Sequence, residues 1–421
     1  RNFARVTVCL LFLGALTGVK INAAEVVEFG SPTSSVFLGE EVRFRPVVMF
    51  RSSLDLKSPV MAYEVADIKT GECVVQGEAS FQQTAGLGGW AEIAPELPET
   101  DQPRWYRLKL SLRGDDGAVD LANGVLSFGV VPEATGAKDI LHEPEGERLV
   151  MAFYYTWYGN PEVQGHWRHW DEGGHNPQKA DEWGLPDLGA TNHPVLGAYD
   201  SLDPVVIKQH LAWAEEATID VLISTWWGQG DVTDRILPQL LEAAAESSVR
   251  VSLYYEQVPH SLPQSAIDDL LYIAREYGDH PGFFRYADRP VVFVYGRALH
   301  QLDVGQWKEV IRAVEAETDL LLLADSIDDV WATIFGGLHN YNPVGAVVGG
   351  TDIQRLFDAQ VKAAGDHAKI STVTVIPGYD DSNIGRLTPI VASRLDGALY
   401  DAQWEAAINS SSTPNRSFIL S

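Results

Sequence analysis

Aromatic side chains gather with a few acids and histidines at recurring places along this chain. Tyr154, Tyr155, Trp157 and Tyr158 are followed by His166, Trp167, Arg168, His169 and Trp170, and then by Tyr199 and Asp200. Further on come Trp226-Trp227-Gly228, Tyr254-Tyr255-Glu256, Tyr295, Asp325, His339 with Tyr341, and Tyr379 with Asp380. This mixture suits a sugar. A pyranose has an apolar C–H face that stacks on indole and phenol rings, while its hydroxyls need fixed donors and acceptors around the rim. An acid set among rings is costly to bury without a partner, which singles out Glu256, and Tyr155 with it, as residues that meet a ligand.

Each motif also has a plainer reading. Tyr154 and Tyr254 are expected to pack against helices, because alternate strand residues face opposite sides. His166 and His169 stand three apart and could share a metal, but no third ligand is near and the interleaved Trp167 and Trp170 suit stacking better, so no metal is expected. Asp203 before Pro204 reads as a helix N-cap with proline in the first turn, whereas Asp200 has no such explanation.

These residues must be held by something, and the spacing of apolar runs says what. Residues 25–131 read as short alternating segments broken by Gly, Pro, Asp and Asn, the pattern of an Ig-like β-sandwich. Its Trp90 and Trp105 are expected in a core or domain contact, which makes it an accessory domain. Residues 132–147 read as a linker. From 148 onward, strand-like runs at Leu149–Tyr155, Ile219–Thr225, Val249–Tyr255, Val291–Tyr295, Leu320–Ala324, Gly337–Tyr341, Thr372–Ile376 and Phe418–Ser421 alternate with amphipathic helices. Eight such strands make a (β/α)8 TIM barrel, whose site lies at the C-terminal strand ends, where the rings and acids fall. A doubly wound sheet would show the same alternation, but no glycine-rich phosphate loop follows any strand. The expected fold is therefore multidomain: an N-terminal all-β sandwich plus a (β/α)8 barrel over 148–421 that is truncated after strand eight.

Composition removes other classes of function. With 58 acidic against 31 basic residues and a net charge of −27, most of the surface repels a polyanion, so no nucleic-acid partner is expected. Two arginines followed by an apolar run from Val6 to Leu16 and by Ala23-Ala24 read as a signal peptide over 1–24. The run is short for a bilayer span, so a secreted, periplasmic or cell-surface protein without stable membrane insertion is expected. Cys73 alone would remain after cleavage and cannot form an internal disulfide.

Taken in order, Tyr154-Tyr155-Thr156-Trp157-Tyr158-Gly159-Asn160-Pro161, His166-Trp167-Arg168-His169-Trp170, His193-Pro194, Leu196-Gly197-Ala198-Tyr199-Asp200-Ser201, Ser224-Thr225-Trp226-Trp227-Gly228 and Pro377-Gly378-Tyr379-Asp380-Asp381 resemble glycoside hydrolase family 99 and its WbsX-like relatives. The resemblance covers about 149–421. It implies a (β/α)8 fold and endo-acting, retaining hydrolysis of α-mannosidic linkages in a mannose-containing oligo- or polysaccharide, with neither cofactor nor metal. It also implies a pair of catalytic glutamates in a loop after the eighth strand, beyond Ser421, so that this chain carries no catalytic residue and binds without turning over. Residues matched one by one become sugar-contact candidates: Tyr155, Trp157, His166, Trp170, Trp226, Trp227, Glu256 and Tyr379. One departure stands out: Tyr254-Tyr255-Glu256-Gln257-Val258 keeps only the glutamate of the family's His-x-Glu-Pro-Tyr motif. The competing reading is a non-hydrolytic carbohydrate-binding or glycan-assembly protein of the WbsX-like kind.

Overall fold

The computed structural model describes residues 27–29, 35–38, 42–44, 46–50, 56–84, 88–99, 104–114, 120–131, 149–180, 185–410 and 417–420. The expected signal peptide (1–24) and linker (132–147) lie outside the described residues. The chain forms two compact units, Arg1–Glu133 with Gly165–Tyr199, and Ala134–Gln164 with Asp200–Ser421.

In the first unit, eight strands between Val27 and Val131 join in one hydrogen-bonded sheet. Period-two alternation drives it: Tyr106, Leu108, Leu110 and Leu112 are buried while Arg107 and Lys109 face away. The long strand Cys73–Thr84 pairs with Val60–Asp67 through its first part and with Gly88–Ala91 through its last. Phe44, which bridges Ile93 just beyond the strand Gly88–Ala91, and Phe128 on the strand Asp120–Val131 meet with ring centres 4.8 Å apart. In a flat sheet with strands about 4.8 Å apart they would be several strand widths distant, so the sheet folds over on its own core.

The same unit takes up Gly165–Tyr199, which the strand pattern had assigned to the barrel. Its apolar side chains Trp170, Leu188, Leu196 and Ala198 are buried. The segment also runs against the sheet at Gly129, where a Cβ would come within 2.9 Å of the Val195 carbonyl oxygen. Alternation within barrel strands does not foresee which unit a long connection after a strand joins.

The second unit is a closed barrel of eight parallel strands: β1 Val150–Tyr154, β2 Val221–Trp226, β3 Arg250–Tyr255, β4 Arg289–Val294, β5 Leu321–Asp325, β6 Gly337–His339, β7 Ile370–Thr374 and β8 Ser417–Leu420. β8 pairs with both β7 and β1, and β3 pairs with β4, which closes the ring. The intervening helices include α1 Pro204–Glu216, α2 Leu237–Ala245, α3 Pro263–Glu276, α4 Val304–Glu315, α5 Asp329–Ala332, α6 Ile353–Gly365 and α7 Ala398–Ser410, with short helices at Val232–Arg235, Gly296–His300 and Val344–Val348. Their ends follow capping chemistry: Asp203 accepts from Val205 N with Pro204 in the first turn, and Asp303 with Gln306 forms a capping box. Among the described residues no helix is long and apolar enough to cross a membrane.

Two separate cores show which way each strand residue points. Leu222, Trp226, Val251, Leu253, Tyr255, Val292, Val294, Leu322, Ala324 and Leu338 pack with α1–α4 in the outer layer. Val221, Ile223, Tyr254, Val291, Phe293, Leu321 and Leu323 fill the barrel interior with Phe153, Tyr295 and Tyr341. At the N-terminal rim Asp220 joins three strands: its carboxylate accepts from Val150 N at 2.8 Å, its own N–H donates to Val150 O, and its carbonyl accepts from Arg250 N. Asp220→Ala leaves the Val150 amide unpaired and is expected to cost about 1–2 kcal/mol, read as a lowered denaturation midpoint with unchanged far-UV circular dichroism.

Candidate active site at the barrel mouth

The strand ends β1–β6 bring one set of side chains together. The Tyr155 and Tyr341 hydroxyls are 2.6 Å apart, and Tyr155 stacks on Trp157 at 4.7 Å between ring centres. Trp157 in turn neighbours Trp227 at 6.3 Å. Tyr254, Tyr295 and Tyr341 form a three-ring cluster with centres 5.0–5.7 Å apart. The charge of Glu256 helps to raise the hydroxyl pKa values of Tyr155, Tyr254, Tyr295 and Tyr341, so its carboxylate lies within electrostatic range of all four. Tyr158 belongs to the same set through Tyr155, and Tyr379 through Tyr295 and Tyr341.

Glu256 is 4 % exposed, and the Thr225 hydroxyl donates to its Oε1 at 2.6 Å. Burial pushes its carboxyl up from 4.5 to about 7, and the Thr225 hydrogen bond and the Arg297 guanidinium recover only part of that shift. Near neutral pH it is therefore divided between an acid that donates and a carboxylate that accepts. Asp325 is fixed more firmly: Oδ1 accepts from Tyr341 N at 2.9 Å, while Oδ2 accepts from Gly296 N at 2.9 Å and the Tyr254 hydroxyl at 3.4 Å. Gly296 is required here, since a Cβ would come within 2.9 Å of Oδ2. Burial raises the Asp325 carboxyl as well, with these hydrogen bonds opposing. His339 is fully buried beneath the cluster, its Nε2 is 3.3 Å from the Tyr254 hydroxyl, and burial lowers its pKa to about 3, so it is a neutral support.

Strand alternation corrects several expectations. Trp226 and Tyr255, both read as sugar contacts, face the helix layer and are completely buried. Trp226 donates to Asp234 at 2.9 Å and Tyr255 to Asp269 at 3.0 Å. Adjacent strand residues point to opposite faces, so Glu256 inside requires Tyr255 outside. By the same rule Tyr254, expected against the helices, lies inside, whereas Tyr154 does meet α1 through His210 at 3.0 Å. Asp234 and Asp269 still serve the mouth, since they hold Gly230 N and the Gln229 amide in the loop that carries Trp227.

His166, Trp167, His169, Trp170 and Tyr199 fall in the first compact unit. There Trp170 is buried and donates to the Tyr199 carbonyl at 2.8 Å, and His169 pairs with Glu172. Asp200 is 1 % exposed and organises a loop, accepting from Asn160 N, Leu202 N and the Gln164 amide. Asp380 is exposed and caps its own turn at Ser382. Thr225 and Arg297 were missed from the sequence. Thr225 shares the inward parity of Ile223 and could have been found from it, but Arg297 follows β4 in a short helix where no strand rule applies. Among the described residues no group of three or more His, Cys, Asp or Glu is placed to hold a metal ion.

Comparison with known proteins agrees with this geometry. A profile described as "Glycosyl hydrolase family 99" matches residues 146–415. The rat protein named glycoprotein endo-alpha-1,2-mannosidase is 25% identical over 369 residues, covering 78% of this chain and 77% of that one. The human glycoprotein endo-alpha-1,2-mannosidase-like protein is 26% identical over 295 residues, 61% of this chain and 63% of its own. The solved GH99 endo-alpha-mannosidase from Bacteroides thetaiotaomicron shares 28% identity and superposes with a TM-score of 0.54, covering 64% of this chain and 83% of that structure.

The raised carboxyl of Glu256 makes stability depend on pH in a defined direction. Folded protein keeps a proton that unfolded chain has released, so the contribution is full below about 4.5 and is lost as pH rises through about 7. Glu256→Gln is expected to flatten this loss, by at most about 3 kcal/mol between those limits, in denaturation midpoints measured across pH 4–8.

Proposed function

We propose, on the premise that the chain belongs to glycosyl hydrolase family 99, that its barrel mouth holds α-mannosidic linkages inside a mannose-containing glycan, as an endo-acting, retaining glycoside hydrolase does. What supports this reading most is the convergence of Tyr155, Trp157, Trp227, Tyr295 and Tyr341 around Glu256 at the C-terminal ends of the strands. Stacked rings accept the C–H faces of successive sugar units, and an open run of rings suits an internal stretch of chain. Glu256, held by Thr225, offers a sugar hydroxyl a donor when protonated and an acceptor when not. The paired hydroxyls of Tyr155 and Tyr341 give a second fixed polar contact.

In this reading neither Glu256 nor Asp325 is a reacting carboxylate. Asp325 has both oxygens committed to two backbone amides and a phenol. Glu256 lies buried among phenols, with Thr225 on one oxygen. The proposed glutamate pair is the one that the family resemblance puts after β8, and the β-sheet unit serves as an accessory domain. The apolar run Val6–Leu16 after two arginines supports export from the cytoplasm.

Titrating α-mannan oligosaccharides against tryptophan fluorescence tests the saccharide site. Binding is expected, and Trp227→Ala should weaken it about tenfold. Failure of every α-mannan oligosaccharide to bind would remove the reading. Glu256→Gln is expected to leave the chemical step itself in place; hydrolysis of α-mannan that disappears with Glu256→Gln while binding persists would make Glu256 a reacting group after all.

A further inference from the structure

Arg297 is a cation at the mouth whose charge acts on Glu256 without an ion pair between them. It stands in the short helix Gly296–His300 after β4, and its side chain is exposed. Its guanidinium carbon lies 4.8 Å from the centre of the Trp227 ring and 5.3 Å from that of Tyr295, with a hydrogen bond to Tyr295. Among the described residues it makes no ion pair. Arg386, which acts on the mouth ring Tyr379, is by contrast paired with Asp381 at 3.1 Å.

The contrast matters because both arginines stand at the mouth of a chain with 58 acidic side chains and a net charge of −27. The acids nearby are otherwise engaged: Glu256 is bonded to Thr225, and Asp325 to Gly296, Tyr341 and Tyr254. A guanidinium held by ring faces keeps its planar N–H edge for something else, and that edge matches two oxygens of an oxyanion better than it matches scattered hydroxyls. The acidic surface beyond the mouth repels an extended polyanion. A mostly neutral glycan with an occasional charged group satisfies both conditions.

Building on the mannosidic reading above, we propose that the glycan bound here carries an oxyanion substituent, a phosphate, sulfate or carboxylate, and that Arg297 is the residue that selects it. The test is calorimetric titration of a neutral α-mannan oligosaccharide against oligosaccharides of equal length bearing a phosphate ester, a sulfate ester or a uronic acid. At least one charged ligand should bind about tenfold more tightly than the neutral one, and the arm that does so identifies the group. Arg297→Met should bring that ratio to about one and Arg297→Lys should keep part of it, with thermal melts confirming that both variants fold. Equal affinity for neutral and charged ligands overturns the selection by Arg297 and leaves the saccharide site standing. A preference that survives Arg297→Met overturns it as well. Binding of none of the four ligands removes both this inference and the reading it rests on.

Discussion

The structure depends on a closed ring of parallel strands in which each residue must point either into the barrel or toward the helices. Closure is made by β8 between β7 and β1 and by β3 against β4. Once the ring is closed, a single inward residue fixes the facing of its whole strand. Glu256 inside puts Tyr254 inside and Tyr255 outside, and the register Tyr254↔Phe293 then carries the same facing to β4. The mouth is where the inward rows run out of strand: apolar layers of Ile223, Phe293 and Leu323 below give way to Thr225, Glu256, Tyr295, Asp325 and Tyr341 above.

That order solves an electrostatic problem. Acids at the top of an apolar barrel are partly cut off from water, and each needs compensation that leaves the opening usable. Asp325 receives it from backbone amides and a phenol, and thereby ties the end of β5 to Gly296 after β4 and to Tyr341 after β6. Glu256 receives less, from one hydroxyl and a nearby guanidinium, and so stays poised around neutrality. The difference marks Asp325 as the joint and Glu256 as the group free to answer a ligand.

Outside the ring, a second set of acids supports the first from behind. Asp234 accepts from Trp226, Gly230, Tyr272 and Tyr277, and Asp269 from Tyr255 and Gln229. These buried bonds link α3 to the loop after β2, so the residues that resemble ligand contacts in sequence, Trp226 and Tyr255, act through the position of Trp227. Rigid support of this kind keeps a stacking ring oriented at little entropic cost when a ligand arrives.

Much of this was legible before any coordinates. The eight strand runs, the amphipathic helices that alternate with them, the Asp203 cap and the gathering of rings at strand ends follow from local periodicity and turn chemistry, which are properties of the chain within a few residues. What the chain alone left open was of another kind. Trp226 and Trp227 are chemically equal neighbours, as are Tyr254 and Tyr255, and only the facing of the closed barrel separates a mouth residue from a core residue. The segment Gly165–Tyr199 carries sugar-like motifs but belongs to the other unit, and its Trp170, Leu188, Leu196 and Ala198 are buried, since burial depends on which surfaces meet in space. Arg297 acquires its place from its near neighbour Tyr295 and from Trp227, which is far from it in sequence, and distance along the chain holds no record of that second meeting.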